Sequence, residues 1–390
     1  NNTQNKKEMI KMIKILFFIP TLMHGGAERV LINLVNNLDQ NKYEITVQTL
    51  FDTGVHKDKL RKEISYKSVF SKLFRGSTKI FQLFKPEFLY KKIIGEKYDI
   101  AVSYLEGSTA RILSGCPYQE TKLVSWIHVE LNTEKMVSIG FRSLEECQKQ
   151  YEKFDKVVCV SETVKKVFLE SIKKIDRSKV TVLYNVNETE MIKDCGREEI
   201  ENNLFNNNEV NICSVAKIIE PKGYDRLVRV HKKLKAENYN HHIYILGIGE
   251  QKKELEKFLK KYNLQDSFTF LGFKDNPYKY ISKCDMYICS SRREGFSTAV
   301  TEALILGLPT VSTNCSGAEE LLGKNNEYGI VVENSEIGIY KGLKKMLDNP
   351  ILMEYYRKMA FERGKKFSKK ETLQRTEEMF NDLWRISEQG

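Results

Sequence analysis

Residues 13–50 read IKILFFIPTLMHGGAERVLINLVNNLDQNKYEITVQTL. The run from Ile13 to Ile19 is apolar almost throughout, as in a strand buried on both faces. A turn holding Gly25-Gly26 follows. From Glu28 to Leu38 the apolar residues Val30, Leu31, Leu34, Val35 and Leu38 then recur at helical spacing. Glu44 to Leu50 reads as a second strand. Strand, glycine turn, helix, strand is a βαβ unit, whose crossover makes its two strands parallel.

Outward from this unit the alternation continues. Strands are predicted at Asp99 to Tyr104, Lys122 to Ile127, Lys156 to Val160 and Val180 to Tyr184, with helical stretches between them. A second series has strands at Asn211 to Val215, Ile243 to Leu246, Phe268 to Leu271, Met286 to Cys289, Thr310 to Thr313 and Ile330 to Val332. Its helices are Tyr224 to Leu234, Gln251 to Tyr262, Thr298 to Leu306, Ala318 to Leu322 and Glu336 to Leu347. The fold class is therefore α/β, with two doubly wound sheets in series. The expected boundaries are a first domain at 1–190, a linker at 191–208 where asparagines cluster, and a second domain at 209–368. A charged helix at 369–390 is expected to pack back on the first domain. Ligands of such sheets sit beyond the carboxyl ends of the strands, so a ligand is expected in a cleft between two facing domains.

The 390 residues are 41% hydrophobic and 29% charged, which excludes disordered and low-complexity classes. No apolar run approaches the roughly 18 residues of a membrane span. The short run after the basic start is too brief for a secretory core, so the reading is cytoplasmic. Eight cysteines without a C-x-x-C pair read as reduced, packed thiols rather than metal ligands.

Net charge is +11, and much of the excess is local. Residues 57–97 hold 12 Lys/Arg against 4 Asp/Glu, interleaved with Phe70, Phe74, Phe81, Phe84 and Phe88 at spacings of 4, 7, 3 and 4. That spacing predicts one helical apolar face flanked by lysines. Such a face suits contact with an anionic membrane surface; packing into the first domain is the competing reading. Nucleic acid is not expected, because no nucleic-acid motif accompanies the charge.

Ser290 to Glu302, SSRREGFSTAVTE, follows an apolar strand and opens a helix that Ser297 or Thr298 can cap. The free amides of that helix start make a natural diphosphate site. Glu294 on the loop and Glu302 in the helix can reach opposite ends of one bound molecule through vicinal hydroxyls. Lys217 ends a strand and Lys222 opens the next helix, so both can neutralise a pyrophosphate; ordinary surface lysines are the alternative.

These residues resemble a family, the retaining nucleotide-sugar glycosyltransferases of family 4 with the GT-B fold. The resemblance rests on Glu294-Gly295-Phe296-Ser297-x4-Glu302 and Gly307-Leu308-Pro309. It is extended by Gly317-Ala318-Glu319-Glu320, Lys222-Gly223, Leu246-Gly247-Ile248-Gly249 and Leu271-Gly272-Phe273. In the first domain Gly25-Gly26-Ala27-Glu28-Arg29, Val160-Ser161-Glu162 and Tyr184-Asn185 join it. The matches run from about residue 13 to 345.

The resemblance implies a role for each of these positions. Glu302 binds the ribose and Glu294 the donor sugar. Lys217, Lys222 and the amides of Ser297 and Thr298 hold the diphosphate. Gly26 permits close approach to the phosphate, His128 lies beside the donor sugar, and the base lies over Gly272-Phe273. Catalysis would rest on Glu294, His128 and Lys222. Ala216-Lys217 stands where the family usually has Gly-Arg, which keeps the charge and loses the bidentate fork. With no D-x-D in the chain, no metal or other cofactor is expected.

The implied activity is transfer of a hexosyl unit from a nucleoside-diphosphate sugar with retention. Uridine is favoured and guanosine remains open. The acceptor would be a growing glycan or a polyprenyl-diphosphate-linked oligosaccharide of a bacterial capsule or surface polysaccharide, with the enzyme peripheral on the inner membrane face. The alternatives are a soluble glycogen- or sucrose-synthase-like transferase and a non-catalytic nucleotide-sugar-binding subunit. A dehydrogenase is disfavoured, because Lys252 stands where a third glycine would follow Gly247 and Gly249.

Overall fold

The computed structural model describes residues 11–23, 25–200, 204–205, 208–367 and 369–388. The basic start of the chain and Asn202, Asn203, Asn206 and Asn207 of the expected linker lie outside them. The described chain forms two units. The first comprises residues up to Val160, Lys165–Tyr184 and the chain from Thr372; the second comprises Ser161–Val164 and Asn185–Glu371.

The first unit holds seven strands: β1 (Ile13–Ile19), β2 (Tyr43–Phe51), β3 (Ser65–Phe70), β4 (Ile100–Ser103), β5 (Lys122–Ile127), β6 (Lys156–Cys159) and β7 (Val180–Val182). All pair in parallel, in the order β3-β2-β1-β4-β5-β6-β7. The central strand β1 is buried at every position except Lys14, as its unbroken apolar run requires. The order reverses direction between β1 and β4, so the loops after these two strands diverge and leave a crevice at their carboxyl ends. The last helix, Lys369–Glu388, lies on this unit. Phe380 meets the rings of Phe17 and Tyr43 edge-on at 6.1 and 6.2 Å, and the Tyr43 hydroxyl donates to Asn381 at 3.2 Å.

The second unit repeats the plan with β8 (Val210–Val215), β9 (His241–Leu246), β10 (Phe268–Gly272), β11 (Met286–Cys289), β12 (Thr310–Thr313) and β13 (Ile330–Val332). The order is β10-β9-β8-β11-β12-β13, again parallel, with its switch point between β8 and β11. Ile212, Ile243, Ile245, Met286, Ile288 and Val311 form the sheet's part of a core that the helix Tyr224–Ala236 covers with Leu227, Val228 and Leu234.

Three expectations need correction. The stretch 191–208 is not a plain linker, because it begins inside the helix Thr189–Gly196 of the second unit. Ser282 donates to the Gly196 carbonyl at 2.5 Å and Asn276 to the Cys195 carbonyl at 3.0 Å, so the boundary falls at Tyr184/Asn185 instead of 190/191.

Phe70 to Phe88 do not share one helical face. Phe70 ends the edge strand β3, and Gly76 and Pro86 then break the chain into the helices Ser77–Leu83 and Pro86–Ile93. Phe81 is buried whereas Phe74, Phe84 and Phe88 are exposed. Last, the helix Pro350–Gly364 was not anticipated. Its apolar residues fall on several sides, with Ile351, Tyr355 and Phe361 exposed, so no single stripe marks it. All eight cysteines are free thiols. No helix among the described residues is long and apolar enough to cross a membrane.

Candidate active site

In the second unit the loops after β8 and β11 flank the switch point, and they are tied together. Ser290 donates to the Lys222 carbonyl at 2.9 Å, the Arg292 amide to the Pro221 carbonyl at 2.7 Å, and Arg226 to the Ser290 carbonyl at 2.7 Å. Gly223 has φ +68, and a Cβ there would lie 2.1 Å from the Ser290 carbonyl oxygen, so only glycine lets the loops meet. Arg292 grips Asp225 with two bonds of 2.7 and 2.8 Å. Burial works to raise Asp225, but Arg292 and Arg229 outweigh it and bring the carboxyl down to about 2.

On this frame Lys222 and Glu294 come together, with Nζ 2.7 Å from Oε1; the Ser291 hydroxyl donates to the same oxygen at 2.5 Å. Both side chains are mostly buried. Burial works to lower the Lys222 ammonium, but the Glu294 carboxylate beside it prevails and the group ends above its ordinary range. Lys222 is therefore a fixed cation at neutral pH. Lys217 stands exposed on the same loop just beyond β8.

Three residues past Glu294, Ser297 caps the helix Thr298–Ile305, its hydroxyl accepting from the Val300 amide at 3.3 Å. The amides at the start of that helix have no intrahelical acceptor and carry the positive end of its dipole. Gly295 and Phe296 are buried behind them. Within the helix Glu302 is buried, 3% exposed, and accepts from the Tyr278 hydroxyl at 3.2 Å. Tyr278 opens the short helix Tyr278–Ile281, which follows Gly272 and the exposed Phe273 at the end of β10. The structure thus groups Lys222, Glu294 and Ser297, and separately groups Glu302 with the Gly272-Phe273 loop through Tyr278. Gly247 and Gly249, the residues suggestive of a dinucleotide fold, serve packing instead. A Cβ on either would fall about 2 Å from the carbonyl of Ala216 or Ile218, on the Lys217 loop.

The first unit presents its own switch point. Gly26 opens the helix Gly26–Asn37 beyond β1 and is exposed. Glu106 follows β4, and its Oε2 accepts the backbone amide of His128, just past β5, at 3.1 Å. Burial raises the Glu106 carboxyl above the usual carboxylate range, although its backbone hydrogen bonds oppose the shift. His128 is 9% exposed and packs 4.9 Å from the Tyr104 ring. Its buried Nε2 has no hydrogen-bond partner among the described residues. Burial pushes the imidazole down to about 3 against a hydrogen bond to the Tyr104 backbone, so it is neutral near pH 7. The sequence reading missed Glu106, Ser291 and Tyr278. Glu106 could have been found by position, since it lies two residues beyond the predicted strand 99–104.

Residues 24–190 match the family described as Glycosyltransferase Family 4, and residues 196–363 the family described as Glycosyl transferases group 1. The chain belongs to these glycosyltransferases and has the GT-B fold, two parallel-sheet Rossmann-like domains. A relative from Campylobacter jejuni is N-acetylgalactosamine-N,N'-diacetylbacillosaminyl-diphospho-undecaprenol 4-alpha-N-acetylgalactosaminyltransferase. It is 35% identical over 197 residues, a stretch that is 50% of this chain and spans about half, 52%, of that relative. An uncharacterized glycosyltransferase of Haemophilus influenzae is 25% identical over 361 residues, covering 87% of this chain and 92% of that protein. The solved structure of Anabaena HepE in complex with UDP superposes with a TM-score of 0.74 at 17% identity, over 95% of this chain and all of that one.

Proposed function

We propose that the protein transfers a hexosyl unit from a uridine-diphosphate sugar to a glycan carried on a polyprenyl diphosphate, in the synthesis of a bacterial surface polysaccharide. The observation that carries this reading is the Lys222–Glu294 pair set beside the start of the helix Thr298–Ile305 at a sheet switch point. A fixed cation and unbonded amides suit a diphosphate, and the adjacent carboxylate suits sugar hydroxyls. The UDP bound by HepE and the lipid-linked acceptor named for the Campylobacter relative support the choice of donor and acceptor.

In the proposed reaction the bond between the anomeric carbon and the leaving phosphate oxygen breaks as the acceptor oxygen bonds to the same face. The acceptor proton passes to that phosphate oxygen. Lys222, Lys217 and the amides of Ser297 and Thr298 stabilise the departing diphosphate, Glu294 orients the sugar, and Glu302 takes the ribose. Phe273 and Gly272 border the base. We assign Gly26 to the approach of the phosphate, and Glu106 and His128 to the transferred sugar and acceptor. No metal is required, since lysines and helix amides supply the positive charge. The test is a donor panel with a synthetic polyprenyl-diphosphate oligosaccharide, with and without chelator, with NMR of the product's anomeric centre. An axial product from an axial donor, formed in chelator, is expected. An inverted product, or no turnover without divalent metal, contradicts the mechanism.

A further inference from the structure

The first unit carries a surface that its own fold leaves unused. Leu73, Phe74, Ile80, Leu83, Phe84 and Phe88 are all exposed, Leu83 at 76% and Phe88 at 47%. Ile80 and Leu83 lie three apart on the helix Ser77–Leu83 and so share its outer side. Phe84 and Phe88 stack with ring centres 5.3 Å apart. Water-facing side chains of this size rarely cluster on a surface that stays in water.

The same segment bears Lys72, Arg75, Lys79, Lys85, Lys91 and Lys92, all exposed. Among the described residues none of these six reaches a carboxylate within ion-pair distance. By contrast, three other lysines of the basic stretch are paired, Lys57 with Asp52, Lys67 with Glu96 and Lys97 with Glu120. Glu87 is the one acidic residue between 72 and 92, and its carboxylate lies 3.5 Å from Lys153. The face is thus apolar with a rim of uncompensated positive charge.

This face is firmly held. Arg111, 1% exposed, donates to the carbonyls of Phe81 and Phe84 at 2.9 Å each and pairs with Glu146 at 2.9 Å. Gln82 donates to the Phe141 carbonyl at 2.5 Å. The neighbouring Gly140 lies against Gly107 and Ser108, next to Glu106. The exposed face is therefore continuous, through packed backbone, with the loop that holds Glu106 and His128.

We propose that residues 72–92 dock the first unit on an anionic lipid bilayer, with Leu83, Phe84 and Phe88 entering the headgroup boundary and the six cations facing lipid phosphates. The charge selects this occupant. A second copy of a chain with net charge +11 would bring like charges together, whereas an anionic bilayer neutralises them. The docking does not depend on the transferase reading. Its further consequence, that a lipid-linked acceptor is presented to the Glu106–His128 edge, rests on that reading.

The experiment is flotation of the full chain with phosphatidylcholine vesicles, with and without 30% phosphatidylglycerol, at low and high salt. Three proteins are compared: the unaltered chain, Leu83→Ser/Phe88→Ser, and Lys79→Gln/Lys85→Gln/Lys91→Gln/Lys92→Gln. Lys260→Gln/Lys261→Gln, on the exposed helix Lys252–Lys261 of the other unit, is the control. The unaltered chain and the control are expected to float with anionic vesicles and to release in high salt. Each patch variant should bind on the order of tenfold or more weaker. Cooperative thermal unfolding, read on all four, confirms that each is folded. Equal flotation of the patch variants and the control, or flotation on neutral vesicles alone, overturns the docking. So does a sedimentation change from dimer to monomer in the patch variants without vesicle binding. Turnover with a soluble acceptor reads the transferase reading separately.

Discussion

The two sheets reverse strand order at the same place, yet a largely buried ion pair marks the second switch point, whereas among the described residues no cation pairs with the carboxyl at the first. Glu294 after β11 and Glu106 after β4 are positional counterparts. Glu294 is bound to Lys222 beside a helix start. Glu106 has no cation among the described residues; it touches a backbone amide, and its neighbour His128 is held neutral by burial. Under the function proposed above, topology fixes where a ligand goes and the local partners decide its charge: an anionic diphosphate in the second unit, neutral hydroxyls in the first.

The largest expected effect breaks the charged side. Glu294→Gln should lower turnover by about 10²–10³, the usual scale for one polar group that acts at the transition state. UDP affinity should change by less than about threefold, below 1 kcal/mol. Steady-state kinetics with calorimetry of UDP binding would show it, and equal losses in both would remove Glu294 from the sugar. Next comes Lys222→Met, which strands a largely buried carboxylate. It should destabilise the second unit by about 2 kcal/mol, less than for a fully buried pair, and also weaken UDP. Thermal unfolding with and without UDP reads both effects.

On the neutral side, Glu106→Gln should raise the acceptor KM roughly tenfold while leaving UDP binding unchanged. A loss of UDP affinity would erase the contrast between the two edges. A separate expectation concerns pH. His231 and His241 are fully buried in the second unit, with rings 2.9 Å apart nitrogen to nitrogen. Burial, aided by neighbouring positive charge, pulls them to about 2 and about 4. The unfolded chain binds these protons first, near pH 6.5. Stability is therefore full above that pH and is lost as pH falls toward 4, by up to about 1.4 kcal/mol per unit for each histidine. NMR titration should show both imidazoles neutral from pH 7.5 to 5.

Much of this was legible in the sequence because the strands are short apolar runs at regular spacing, and Met286–Cys289 and Thr310–Thr313 fall where predicted. The Glu294–Glu302 segment was legible because loop, cap and helix are contiguous in the chain. What depends on distant partners was not. Arg111 reaches Glu146 across 35 positions and Lys222 reaches Glu294 across 72, and no local pattern announces either bond. Strand β3 was missed because an edge strand carries lysine and half-exposed residues in place of a clean alternation.

The most direct test is a crystal structure with a uridine-diphosphate sugar. The account predicts the diphosphate on Lys222 and the amides of Ser297 and Thr298, the ribose at Glu302, and Glu294 against the sugar hydroxyls. A nucleotide seated elsewhere, with the Lys222–Glu294 pair intact and untouched, would contradict it.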